Sequence, residues 1–145
     1  AGMGQGIMAE KGGKMKTILS LDILGTPKAK DRPRVKQRKD GSYYGYTPPG
    51  TERAEEALRQ HLMIALRGWQ APPDKSYGLK AFFSFPAGKG HSPGAPHTSK
   101  PDLDNLLKLV LDALKPWVDD AQISRLETQK LYSQEGKTEL LLVEL

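Results

Sequence analysis

The closing segment Glu139–Leu145, "ELLLVEL", sets four apolar residues in a row between two glutamates. Successive strand side chains point to opposite faces, so such a run leaves neither face polar. It requires a strand that is well buried on both sides or covered by a partner. Two helical segments can supply cover. Across "TPPGTERAEEALRQHLMIALRG", Ala54, Leu58, Leu62, Ala65 and Leu66 recur at helical spacing. Thr47 or Thr51 suits its cap, Glu52, Glu55 and Glu56 favour its amino end, and Gly68 suits its stop. Across Leu103–Leu114, the residues Leu103, Leu106, Leu107, Val110, Leu111 and Leu114 fall on one arc.

Strands are expected at Thr17–Leu24, at Gly41–Tyr46 after a turn at Asp40-Gly41, and at Ser76–Phe85. Phe82, Phe83 and Phe85 are candidates for the core. Ala121–Tyr132 and Lys137–Leu145 are expected to close the fold as a hairpin across Ser133–Gly136. These strands and helices together predict an α+β fold: a mixed β-sheet with two main helices packed on it. The 145 residues suit one domain, 17–145. Residues 1–16, "AGMGQGIMAEKGGKMK", are set aside as a tag or disordered segment. Ala1-Gly2 before Met3 looks like a cloning scar, and the segment lacks a signal peptide's apolar core.

The absence of cysteine excludes disulfides, thiolate zinc sites and a cysteine nucleophile, and fits a reducing compartment. No apolar run approaches the roughly 20 residues that span a bilayer. Net charge is +5. Residues 1–40 carry ten Lys/Arg against four acids, and residues 41–145 carry twelve against thirteen. The excess positive charge thus lies in the first quarter, as for a polyanion-binding segment or a solubilising tail.

In "KAKDRPRVKQRK" the six cations Lys28, Lys30, Arg32, Arg34, Lys36 and Arg38 occupy even positions, with Lys39 following at an odd one. An extended chain would turn all six to one side as a phosphate-tracking stripe; an irregular loop would not. Tyr43, Tyr44 and Tyr46 follow and can stack on unpaired bases or pack in a core. His91 and His97 lie in the Gly/Pro-rich loop Pro86–Ser99, where they could touch DNA. His61 reads as a helix-surface residue.

Asp102 and Asp104, two apart before the second helix, can face one hard cation between them. They can equally cap the helix, and Asp104, Lys108 and Asp112 can form a surface ion-pair ladder. Asp119 and Asp120 follow the helix in "WVDD" and either form a turn or return alongside the first pair. Convergence of Asp120 with Asp102 and Asp104 would make an oxygen-only cluster suited to Mg²⁺ or Mn²⁺. Lys108, one turn after Asp104, could then stabilise charge on a phosphate.

The strings "KPDLDNLLKLVLDAL" and "WVDDAQI", with "GTPKAKDRPR" and a downstream "YTP", resemble the RusA-type Holliday-junction resolvases. The resemblance spans most of Thr17–Leu145. It implies a homodimeric α/β endonuclease that binds four-way DNA junctions and nicks two opposed strands with Mg²⁺ or Mn²⁺. It implies Asp102, Asp104 and Asp120 as metal ligands and Lys108 as the catalytic lysine. Lys30, Arg32, Arg34, Lys36 and Lys100 are the expected DNA contacts. It further implies a role in recombination and repair, in the cytoplasm of a bacterium, from a host or prophage gene. Two departures stand out: Pro101 occupies a position where some members have arginine, and the helix-to-Asp-Asp link is shorter here. Rival readings are a non-catalytic branched-DNA binder, a nuclease for flaps or other branches, and an Asp-x-Asp glycosyltransferase, for which the chain is short.

Overall fold

A computed structural model describes residues 15–30, 34–46 and 49–145. Strands β1 (Lys16–Leu24), β2 (Arg34–Gln37) and β3 (Tyr43–Tyr46) precede helix α1 (Pro49–Ala65). Strand β4 (Tyr77–Pro86), helix α2 (Leu103–Leu114), a 3₁₀ turn (Asp120–Gln122), β5 (Ile123–Ser133) and β6 (Lys137–Glu144) complete the chain. This is the expected α+β fold with two main helices, and β2 is a strand beyond those expected. The main sheet runs β1-β6-β4-β5, and β2 pairs only with β3 in a separate hairpin. The strand assigned from Thr17 begins one residue earlier, at Lys16.

The ELLLVEL segment lies inside the sheet, antiparallel to both β1 and β4. Leu140 and Leu142 join the core under the helices, while Leu141 and Val143 form a small cluster with Met15 on the reverse face. Both faces of β6 are thus used, which is why its pattern never alternates. β4 contributes Tyr77, Leu79, Ala81, Phe83 and Phe85 to the core. Phe82, expected there too, is only half-buried, because strand alternation turns it to the reverse face with Lys80. Lys80 is buried and lies 3.6 Å from Glu127 on β5.

α1 and α2 pack against each other and the sheet. Leu58 and Leu62 from α1, Leu66 in the turn just after it, and Leu106, Leu109, Val110, Ala113 and Leu114 from α2 are buried. Ala65, placed on the apolar arc by its spacing, is exposed at the last turn of α1. Thr47 lies outside the described residues; Thr51 is buried within α1.

β5 and β6 do not form the expected hairpin. β4 lies between them, parallel to β5 and antiparallel to β6. β4, α2 and β5 make a crossover in which the helix returns the chain so that β5 can run beside β4. The link from β5 must therefore step across the end of β4, and it does so against the exit of β1. Gly25 N donates to Gly136 O at 3.0 Å. A Cβ on Gly136 would meet Thr26 N at 2.6 Å and Thr26 Cα at 2.7 Å, both main-chain atoms. Gly136→Ala should therefore cost about 1–3 kcal/mol by overpacking. A lower urea midpoint at unchanged slope would register it.

Candidate active site

α2 forms because its apolar residues recur at 3.6-residue spacing over the sheet, and this seats its amino end at the close of the Pro86–Ser99 loop. Asp102 holds the N-cap position in extended conformation, φ −68° and ψ 146°, yet its side chain makes no capping hydrogen bond. Its Oδ2 instead accepts from Lys100 Nζ at 2.9 Å. Lys100 is 85% exposed, so this pair is solvent-screened and contributes little to stability. Asp104, exposed in the first turn, accepts from the Asn105 amide at 3.0 Å. Lys108 is exposed one turn further on. The Lys100–Pro101 peptide is cis.

Asp120 lies at the other end of α2. It opens the 3₁₀ turn before β5 and is exposed. Its neighbour Asp119 caps that turn: Oδ1 accepts from the Ala121 amide at 2.9 Å, and Gln122 Oε1 accepts from the Asp119 amide at 3.2 Å. The Ala121 amide, and after it the Asp120 carboxyl, hold the Asp119 carboxyl below its usual range. Gln122 Nε2 fastens the turn to Pro72 O at 2.8 Å.

The separation follows from helix length. Twelve residues rise about 18 Å. β5 runs the opposite way to α2, from the Asp120 turn towards Lys130, whose Nζ donates to Ser99 O at 2.7 Å and Pro101 O at 2.8 Å. Ile123 to Lys130 is about 23 Å of strand. Both routes put Asp120 roughly 20 Å from Asp102. Within one chain the three carboxylates do not converge, and among the described residues no group of three His, Cys, Asp or Glu side chains could hold a metal ion. At the head of α2 the donors are carboxylate oxygens without imidazole or thiolate, which suits a hard divalent cation.

The expected one-sided cationic stripe is broken at its start. Lys30 Nζ pairs with Asp112 Oδ2 and lies 3.6 Å from Glu55. Arg59 joins the same cluster through Glu55 at 2.9 Å and Glu56 at 3.1 Å. The hydrogen bond that the Lys30 ammonium donates to Asp112 raises the Lys30 pKa against the opposing effect of burial. Lys30 thus fastens its segment to both helices. Asp112 is correspondingly absent from the expected ladder with Lys108. The Lys30 amide donates to Asn105 O at 3.0 Å, so the basic segment begins beside the first turn of α2.

Arg32 lies outside the described residues. Arg34 stands opposite Tyr46 in the β2–β3 hairpin, and Lys36 opposite Tyr44. Lys36 Nζ sits 5.6 Å from the Tyr46 ring centre and Arg38 4.9 Å from that of Tyr44. The hairpin thus carries a cation–aromatic face, with Tyr43 67% and Val35 68% exposed. None of the three tyrosines is buried in a core.

His97, expected on a DNA-facing loop, is buried. Its ring stacks on Phe85 at 4.2 Å and tilts against Tyr132 at 4.8 Å. His91, which remains exposed, stacks on the same tyrosine at 4.1 Å. Burial, then Lys130 and His91, push the His97 pKa down. The neutral ring's contribution to stability is complete above the unfolded value of about 6.5 and is lost as pH falls through the folded value. Melting curves taken between about pH 7.5 and pH 5 should therefore fall more steeply for the wild type than for His97→Phe.

Lys130 carries no signature in the sequence beyond a lysine at an inward alternation position between Thr128 and Tyr132. Among the described residues, no helix is long and apolar enough to cross a membrane. A family model described as Endodeoxyribonuclease RusA matches residues 25–142. Uncharacterized protein YqaN of Bacillus subtilis (strain 168) is 42% identical over 50 residues, which is 33% of this chain and 35% of that protein. The likeness to that relative thus spans only about a third of its length. The family match is broader, running from the turn after β1 into β6 and taking in α2 and both ends of it, and on that match the chain belongs to the endodeoxyribonuclease RusA family.

Proposed function

We propose that this protein is a Mg²⁺-dependent, structure-specific endodeoxyribonuclease that resolves four-way DNA junctions by paired nicks during recombination and repair. The observation that carries the reading is the bond from the Lys30 amide to Asn105 O, which starts the basic segment beside Asp102 and Asp104. Acidic groups next to a phosphate path repel DNA unless a cation lies between them. Family membership supports the nuclease over the glycosyltransferase reading.

Asp102 and Asp104 would hold the cation, with Mn²⁺ as an alternative to Mg²⁺. When bound there, it would supply a Lewis acid that activates water and eases departure of the 3′-oxygen. Lys108, exposed on the same helix, would offset charge developing on the phosphate. Lys100 would exchange its exposed pair with Asp102 for a DNA phosphate. The hairpin would bring Arg34, Lys36 and Arg38 to the backbone of a DNA arm and tyrosine rings to unpaired bases at the branch.

Asp120 enters this site from a second copy. A twofold axis that sets α2 and β5 antiparallel to their counterparts carries each Asp120 towards the other copy's Asp102 and Asp104. Two equivalent sites result, as paired nicking of a nearly symmetric junction needs. The outer edge of β5 supports this: among the described residues, Gly94–His97 cover it only near Lys130 and Tyr132. Its first half is open, with Leu126 41% exposed. The homodimer would act in the bacterial cytoplasm on nucleoid DNA, from a host or prophage gene.

The test is a labelled four-way junction and a linear duplex of matched sequence, each with Mg²⁺ and with EDTA. Symmetric nicking of the junction alone, abolished by EDTA, is the expected result. Equal cutting of linear duplex would contradict junction specificity, preference for a flap would favour a different branch nuclease, and binding without cleavage would favour a non-catalytic binder.

A further inference from the structure

We infer that Lys130 is a positioning residue that sets the place of Asp102. The inference rests on the metal-site reading above and extends it to a residue outside the acidic motif. Lys130 stands on the edge strand β5 and grips the incoming loop twice. Its main-chain carbonyl accepts from the His97 amide at 3.2 Å. Its ammonium donates to Ser99 O at 2.7 Å and Pro101 O at 2.8 Å. Pro101 is the residue before Asp102, so the second grip ends one peptide short of the carboxylate.

The remainder of the loop is held on the same strand. Gly94 N donates to Tyr132 O at 2.7 Å, Tyr132 N donates to Ala95 O at 2.8 Å, and Pro96 bridges to Leu131. His97 is wedged between Phe85 and Tyr132. After His97, the Lys130 ammonium provides the hold on Ser99 and Pro101 from the sheet. A lysine is suited to this task because one ammonium can donate to two carbonyls at once, as a charge-assisted pair. Displacement of about 1 Å at a catalytic group can cost about a hundredfold in rate, so a carboxylate on a loop benefits from such a brace.

The experiment compares Lys130→Met, Lys130→Arg and wild type. Backbone ¹⁵N relaxation of the metal-free, DNA-free protein is the first readout. The order parameters of the Ser99, Lys100 and Asp102 amides should drop in Lys130→Met from the rigid range of about 0.85 towards 0.6. Those of α1 and β6 should stay unchanged, and Lys130→Arg should restore the loop. The second readout is Mn²⁺ affinity by titration calorimetry together with the Mg²⁺ dependence of cleavage. Lys130→Met should need roughly tenfold more metal, while junction binding in EDTA stays at the wild-type level. Unaltered relaxation in Lys130→Met would overturn the inference. So would loss of junction binding with unaltered relaxation, which would make Lys130 a DNA contact. Global unfolding of Lys130→Met that Lys130→Arg does not repair would make it a structural residue and overturn the inference as well. A wild-type protein that binds no Mn²⁺ would contradict the metal site itself, and the relaxation data would still decide whether Lys130 holds the loop.

Discussion

Asp102→Asn should bind a four-way junction within about twofold of wild type and cleave it at least about a thousandfold more slowly, a loss of about 4 kcal/mol in transition-state stabilisation. Asparagine keeps the shape and one oxygen but removes the charge that a hard cation requires. Stability should hardly change. The Asp102 side chain makes no capping hydrogen bond at the start of α2, and its pair with Lys100 is exposed. That separates the chemical role from a helix-capping role, since loss of a true cap would cost about 0.5–2 kcal/mol. Gel-shift binding in EDTA and single-turnover cleavage in Mg²⁺ would measure the two halves. Normal cleavage by Asp102→Asn would remove this carboxylate from the mechanism.

Asp120→Asn should be as defective as Asp102→Asn, although the two residues lie at opposite ends of α2. Its neighbour provides the contrast. Asp119 accepts from the Ala121 amide and caps the 3₁₀ turn. Asp119→Asn should therefore act mainly through stability, by less than about 1 kcal/mol, since asparagine caps nearly as well. Its cleavage rate should stay within about tenfold of wild type, against a loss of about a thousandfold for Asp120→Asn. Equal loss in both would mean that the turn's geometry, and not the Asp120 carboxylate, is what cleavage needs. Thermal melts beside single-turnover rates distinguish the two.

The parts of the fold that local pattern controls were legible. α2 runs over Leu103–Leu114 as its apolar arc implies, and β6 is interior as its two-faced apolar run requires. What local pattern does not carry is which strand pairs with which. Two strands joined by the short link Ser133–Gly136 read as a hairpin. Yet β5 pairs with β4 because the α2 crossover delivers it there in parallel, and that preference is distributed over the whole sheet. The site shows the same division. Asp102, Asp104, Lys108 and Asp120 stand out in the sequence by type and spacing. Their closeness along the chain hides the helix length between them. The even spacing of the cations assumes one continuous extended segment; among the described residues the strand is Arg34–Gln37, and Lys30 precedes it. Its ammonium finds Asp112 and Glu55, partners 82 and 25 residues away in sequence that no spacing rule could name. His97 and Lys130 were hidden for the same reason, since their roles are contacts made between β5 and a loop.

The most direct test of the shared site mixes two inactive proteins. Asp102→Asn and Asp120→Asn are unfolded together in equal amounts, refolded, and given a labelled four-way junction with Mg²⁺. In a site built from two copies, each mixed dimer holds one site with both substitutions and one site with neither. About half of the dimers should then nick one strand of the junction, while each variant refolded alone stays inactive. If the mixture is as inactive as its components, the carboxylates of one site do not come from two copies, and the account of how Asp120 reaches Asp102 and Asp104 is wrong.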